Sequence, residues 1–517
     1  MSISRRLFLA RSAAVVATTL ASDLVRAAAG ASDAAAATPC ELVVRKRVLE
    51  VNGRDAEILS IYQSNGTFGA VLEPGERFVF TVDNQLDDST IVHWHGQTPP
   101  ADQDGVPDLG VPLIGAGERR SYDYVARAGT HWMHSHQGLQ HQRLLAAPLI
   151  VRTSDDVRAD RHEIILFFED FLYRDPDQVL ADLIKSGGGN PDAAASRGAG
   201  EKPTILTGSP DNAAADLSSD KGDMPMAGTK MSGMQMPGTQ TSGMPAGMKM
   251  DLNDVDFDAY LANRRTLADP DVIRVEKGGR LRLRIINGAS ATNFHIDLST
   301  LNGRVVAVDG NDVKPLPKKS VGVAMAQRID ILVDLPPGEG AWPIIARREG
   351  GKERTGVVLA TAGGKVAKLS QTSANTAGPV TFELETQLSA LKPLAPRPAD
   401  AVFTLALDGS MRPYLWTINE RAWPDRDVVG VKYDRRVAID FVNKTQMAHP
   451  MHLHGHHFQV VALNGRRFSG ALRDTVHVPP VSTVRVEVDT DNAGQWLLHC
   501  HNAYHQSAGM ITSMAYI

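Results

Sequence analysis

The sequence predicts an all-β protein of three consecutive β-sandwich units, and two observations carry that expectation. First, one strand pattern is written three times: Phe78-x-Phe80-x-Val82-Asp-Asn84, Leu281-x-Leu283-x-Ile285-Ile-Asn287 and Val437-x-Ile439-x-Phe441-Val-Asn443. Alternation with period two marks a half-buried strand, and self-similarity marks repeated units. Second, a glycine and a tryptophan follow each copy at a distance: Gly129 and Trp132, Gly340 and Trp342, Gly494 and Trp496. Many short strands with Gly/Pro turns favour sandwiches.

Along the chain, residues 1–38 read as a signal and linker. Arg5-Arg6 precedes a mild apolar stretch from Ala13 to Leu20 and the small residues Ala27-Ala28-Ala29. This is the pattern of a twin-arginine export signal. The expected location is therefore periplasmic, with the twin-arginine export machinery as a partner. The apolar run is shorter than the roughly 20 residues that cross a bilayer, so no stable membrane anchor is expected. With 54 basic and 59 acidic residues, the charge balance points to no nucleic-acid partner. The units are expected at 39–155, 156–368 and 369–517.

The second unit carries an insertion at about 186–250, rich in Gly, Ala, Ser, Pro and Met. Such a composition cannot form a packed core, so a mobile loop is expected. Eight of the chain's 16 methionines fall here: Met224, Met226, Met231, Met234, Met236, Met244, Met248 and Met250. Scattered among Gly and Pro they cannot be a core stripe, and thioethers suit Cu(I). Asp251, Asp254, Asp256 and Asp258 follow at once.

Of the 17 histidines, eight form four His-x-His pairs: His93/His95, His134/His136, His452/His454 and His499/His501. On a strand, i and i+2 share a face. Two pairs come from the first unit and two from the third, and eight imidazoles are enough for about three ions at two to three each. The second unit has only His295 at the matching place, so it is expected to be a ligand-free spacer. Cys500 sits between His499 and His501 and must face the opposite way. Thiolate, two imidazoles and a distant thioether form the blue-copper ligand set; Cys500, His505 and Met510 supply three, and His449 supplies the fourth. Cys40 reads as a free thiol. His131, His141, His162, His295, His456, His457 and His477 read as packing, surface or supporting residues.

These segments resemble the copper-binding signatures of the multicopper oxidases: His93-Trp-His95-Gly, His134-Ser-His136, His449-Pro-Met-His452-Leu-His454 and His499-Cys500-His501-x3-His505-x4-Met510. The resemblance spans essentially the whole chain beyond the signal. It implies three cupredoxin-like Greek-key β-sandwich domains and four copper ions, one type 1, one type 2 and two type 3. His449, Cys500, His505 and Met510 would hold type 1 copper, and His93 and His452 type 2. His95, His134 and His501 would hold one type 3 copper, and His136, His454 and His499 the other. Substrate electrons would enter at type 1 and O2 would be reduced to water at the other three. Asp104-Gly105 resembles the family's proton-supplying acid; its plainer reading is a turn aspartate. Many members carry an acid after the position of His505, where this chain has Gln506.

Within the family the likeness is to the bacterial copper-resistance branch. It implies Cu(I) or phenols as reductants, with Met447 and the eight clustered methionines as candidate ligands of substrate copper. The alternatives are a general phenol-oxidising laccase and a copper-storage protein.

Overall fold

The computed structural model describes residues 39–189, 203–209 and 252–517. The twin-arginine segment and all eight methionines from Met224 to Met250 lie outside the described residues.

In the first unit, strands Cys40–Val51, Arg54–Gln63, Phe78–Asn84 and Arg119–Tyr124 form one four-stranded sheet. Ala70–Leu72, Val92–His95, Gly129–Ser135 and Ala146–Val151 form the other. Their facing side chains make one core, with Leu42, Val44, Phe78 and Val82 against Trp94, Met133 and Leu149. The second unit packs a six-stranded sheet centred on Arg280–Asn287 and Arg328–Asp334 against a five-stranded one containing Phe294–Asp297 and Ala341–Arg348. The third packs a seven-stranded sheet containing Arg436–Asn443 against a six-stranded one containing His449–Leu453 and Gln495–Cys500. The chain is thus three β-sandwiches. Each fully buried Val, Leu, Ile or Phe in these cores contributes about 1.5–3 kcal/mol.

The asparagine closing each repeated strand does one job three times. Asn84 Nδ2 donates to the carbonyls of Asp88, Ile114 and Gly115 at 2.9–3.0 Å. Asn287 Nδ2 donates to Thr292 and Val323. Asn443 Nδ2 donates to Met447, Val478 and Pro479. A side-chain amide thus helps to satisfy buried carbonyls of the adjoining loops and strand ends. In the outer units that loop leads straight into a histidine strand. The three tryptophans Trp132, Trp342 and Trp496 are all buried.

One helix precedes the loop expected at about 186–250, and one strand lies within it. A helix, Pro176–Ser186, runs up to it, capped by Asp175, whose carboxylate accepts from Asp177 N–H at 2.8 Å. It buries Val179 and Ile184 in the third unit's core. Within the insertion, Thr204–Leu206 pairs in parallel with Asp427–Val429 on the third unit's sheet. The β-branched Thr204-Ile205 suits a sheet edge, which overall composition did not reveal. Among the described residues no helix is long and apolar enough to cross a membrane.

Candidate metal centres

Two strand pairs carry the histidines. Val92–His95 runs antiparallel to Gly129–Ser135, with His93 opposite His134. His449–Leu453 runs antiparallel to Gln495–Cys500, with His452 opposite His499 and Met451 opposite Cys500. The two pairs converge. Ring centroids lie 3.9 Å apart for His93–His454 and 3.8 Å for His95–His452. They lie 5.2 Å apart for His136–His499 and 5.1 Å for His134–His501. All eight are buried. Ring nitrogens of His93, His95 and His134 come within 4.8 Å of one another, as do those of His93, His452 and His454, and of His136, His454 and His499. The last strand ends at Cys500 rather than running through His501. His501 N–H still donates to Pro450 O at 2.7 Å, which keeps its ring on the cluster side.

Cys500 points to the other face of the strand. Its Sγ lies 3.7 Å from His449 Nδ1 and 3.6 Å from His505 Nδ1. A short helix, Ala503–Ser507, presents His505; the Asn502 side chain caps it by accepting from Tyr504 N–H at 3.0 Å. Met510 is fully buried, and its carbonyl accepts from Cys500 N–H at 3.1 Å. Met447 is 4% exposed and packs in the same core as Cys500 and Met510. The Trp416 ring lies 4.1 Å from that of His505.

The ring nitrogens show whether these residues suit a metal. In His93, His134, His452, His454 and His499, Nδ1 is engaged: by Asp104 O, Ser135 O, Asp474 O, Asp104 Oδ2 and Cys500 O, at 2.8–3.1 Å. Nε2 of His93, His134 and His452 has no partner. Nε2 of His454 and His499 face each other at 3.0 Å. At the thiol site, His449 Nε2 meets Thr445 Oγ1 at 2.9 Å, and the two Nδ1 atoms of His449 and His505 face each other at 3.1 Å. Buried nitrogens left without partners are costly unless something binds them. Tying one nitrogen and aiming the other inward is how proteins present imidazole to a metal. The donor set fits four copper ions.

Charge agrees. Burial, reinforced by the neighbouring imidazoles, holds His95, His134, His136, His449, His452, His454 and His501 well below the usual histidine range. Burial brings His499 down to about 4. The rings are therefore neutral at neutral pH, with lone pairs available. Burial pushes the Cys500 thiol well up, so it gives up its proton readily only to a bound cation.

Asp104 is 2% exposed and spans both outer units: its carbonyl engages His93 and its Oδ2 engages His454. The glycine after it is required. Gly105 has φ +78°, and a Cβ there would sit 1.9 Å from Val92 O. Two further residues, Asp474 and Arg328, escaped the sequence reading, and a third, Asp254, was read only as one of four carboxylates that could gather Cu(I) near the thiolate site. Asp474 Oδ1 lies 3.1 Å from His95 Nε2. Its partner Arg328 comes from the ligand-free second unit. Asp254 Oδ2 lies 3.0 Å from His505 Nε2 and accepts from Asn502 Nδ2 at 2.7 Å. Asp254 had registered only as one of several acids after the methionines; its place beside His505, across 248 residues from Asn502, left no local signal.

Comparison with known proteins agrees with this geometry. Residues 64–156, 163–363 and 396–516 each match a multicopper oxidase domain family. The chain is 31% identical over 458 residues to multicopper oxidase MmcO of Mycobacterium tuberculosis, covering 86% of this chain and 80% of that protein. It is 25% identical to a copper resistance protein A homologue of Pseudomonas syringae pv. tomato, over 93% and 92% of the two chains. Among solved structures, Fet3p, a multicopper oxidase that functions in iron import, superposes with a TM-score of 0.71 at 16% identity, over 92% and 90% of the chains. The Pseudomonas thermotolerans multicopper oxidase does so with a TM-score of 0.61 at 21% identity, over 93% and 99%. The family uses one type 1, one type 2 and two type 3 copper ions and reduces O2, and this chain belongs to the multicopper oxidase family.

Proposed function

We propose that this protein oxidises Cu(I) to Cu(II) in copper tolerance, with phenols as alternative reductants. Four Cu(I), one O2 and four protons would give four Cu(II) and two waters. His449, Cys500, His505 and Met510 are assigned to type 1 copper, and His93 and His452 to type 2. His95, His134 and His501, and His136, His454 and His499, are assigned to the two type 3 ions. Copper held by these residues would supply the one-electron redox chemistry that couples substrate oxidation to the four-electron reduction of O2. The peptide from Cys500 to His499 and His501 links the two centres covalently. The Arg5-Arg6 signal supports a periplasmic site of action.

The observation that carries the cuprous reading is Asp254. Its Oδ1 is buried without a hydrogen-bond partner while its Oδ2 faces His505. It borders a cavity of about 340 Å³ whose lining also includes Asp182, Asp256 and Asp258. Arg174 also lines it and pairs with Asp182, and Arg348 pairs with Asp256, so the carboxylates left over, Asp254 foremost, are what would favour a cation over a neutral ring. Asp254 stands four residues after Met250 in sequence, and the sulfur of the preceding methionines would select Cu(I) over harder ions. Asp104 is assigned proton supply: it borders a separate cavity of about 320 Å³ with Val106, Leu109 and Gln495, and touches His454 at the other end.

The test is oxygen uptake by copper-loaded protein with Cu(I) and with a phenol, for wild type, D254N and a deletion of 224–250. The reading requires the changes to raise KM for Cu(I) while phenol oxidation persists. Equal losses on both reductants would favour a general laccase, and no oxygen uptake at all would favour copper storage.

A further inference from the structure

The second unit binds no metal in this reading, yet it reaches the histidine cluster. Arg328 opens the strand Arg328–Asp334 and is fully buried. A buried guanidinium costs several kcal/mol unless it is paired and its donors are used. Here they are used. Nη1 donates to Asp474 Oδ1 at 2.7 Å, and Nη2 donates to Asp474 Oδ2. Nε donates to Thr130 O at 3.2 Å and Nη1 also to Ala326 O at 3.0 Å. One side chain therefore ties the first unit through Thr130 and the third through Asp474. It is packed hard against the first ligand motif: a Cβ on Gly96, next to His95, would lie 2.5 Å from Arg328 Nη2.

Asp474 passes this order on. It is 1% exposed, and its Oδ1 accepts from Thr475 Oγ1 at 2.9 Å and faces His95 Nε2 at 3.1 Å. Its backbone carbonyl faces His452 Nδ1 at 2.8 Å. Held in a guanidinium fork, the carboxylate only accepts. The proton of neutral His95 must then sit on Nε2, which leaves Nδ1, an atom with no partner, to face the cluster. This is the reverse of His93, His134, His452, His454 and His499, whose Nδ1 is the engaged atom. His95 is the one ring in this set that is turned around, and it is the one set against a side-chain carboxylate through Nε2.

We propose that Arg328 and Asp474 form a positioning pair that holds His95 with Nδ1 toward the cluster, so the ligand-free second unit sets the geometry of a metal centre it does not ligate. The inference rests on assigning His95 to the type 3 coppers. Outer partners of metal-bound histidines typically govern affinity by about 10–100-fold.

The test compares wild type, D474N and R328Q by copper per chain under chelator competition, type 2 EPR hyperfine splitting, and the blue band of the thiolate site. We expect D474N and R328Q to lose cluster copper about 10–100-fold more readily and to shift the type 2 hyperfine splitting, with the blue band unchanged. T475V, nearly isosteric, removes the hydroxyl that donates to Asp474 Oδ1 and lies 3.1 Å from His95 Nε2 and 3.2 Å from His452 Nδ1. It is expected to shift the same splitting in the same sense by a smaller amount, and it serves if the charge variants fail to fold. R328K keeps the charge without the fork and should restore less than half of the lost affinity. Wild-type copper retention and splitting in D474N, or in T475V where D474N does not fold, would overturn the pair's role while leaving the copper assignment standing. A wild-type protein that binds copper only at the thiolate site would overturn both.

Discussion

The thiolate site and the histidine cluster are built from neighbouring residues of the same strands, but they are assembled differently. His449, Cys500, His505 and Met510 all come from the third sandwich, and their contacts with one another lie within it. The cluster takes two histidine pairs from the first sandwich and two from the third, and its engaged nitrogens are tied by residues of both. The first site draws all its ligands from one domain. The second exists only while the domains are docked. The second sandwich touches both, Asp254 at His505 and Arg328 behind His95.

Four experiments can break or sharpen that contrast. The largest effect is expected from C500S. It removes the soft anionic ligand, so the blue band should vanish and reductant-driven oxygen uptake should fall to background. Copper analysis should still find the cluster ions. Loss of all four would mean that the two sites are one cooperative unit.

D104N should act on the other side of the divide. If Asp104 supplies protons, steady-state oxygen uptake should fall about 10²-fold or more, with the blue band intact and bleached by reductant at the wild-type rate. A slowed bleaching step would place the residue's influence on the thiolate site instead.

The repeated asparagines give a graded comparison. N443A, N84A and N287A each withdraw an amide donor from buried carbonyls, several of which keep a second donor, at a cost of about 1–3 kcal/mol for each group left unsatisfied. All three should lower the melting temperature. Only N443A, whose loop leads into His449, should shift the blue band, and only N84A, whose loop leads into His93, should alter cluster copper. Matching spectra for all three would show that the loops do not transmit the strain.

The smallest effect concerns pH in metal-free protein. Burial holds His499 and His477 down at about 4, below the usual histidine value of about 6.5. The unfolded chain therefore binds more protons than the folded one between those values. The stability these two rings contribute is complete above about pH 6.5 and is lost as pH falls toward 4. Copper bound at His499 would keep its proton off the folded state and carry the loss on below pH 4, and denaturant titrations between pH 7 and pH 3, with and without chelator, would measure it. Equal pH dependence in both forms would contradict copper binding at His499.

The parts legible in sequence are those with a local period. Strand alternation before Asn84, Asn287 and Asn443 marked three sandwiches, and i, i+2 spacing placed each histidine pair on one face. What was not legible depends on distant partners. Asp254 finds His505 and Asn502 only after two sandwiches have docked. Asp474 stands directly after Arg473 in a strand-and-turn stretch of ordinary composition, and nothing nearby announces that its fork partner is 146 residues away. Helix Pro176–Ser186 was missed because its apolar residues serve the third unit's core rather than that of its own neighbours.

The strand ending at Cys500 has a further consequence for heredity. Its two faces serve two different centres, and a one-residue slip reverses every side chain. A single codon inserted between the codons for His499 and Cys500 would not weaken one site by degrees. It would turn the thiol toward the imidazole chamber and an imidazole toward the thiol's pocket, disabling both centres in one event. This stretch can therefore diverge in composition at Gln506 but not in length, and deep insertion scanning should find it the least tolerant window of the chain.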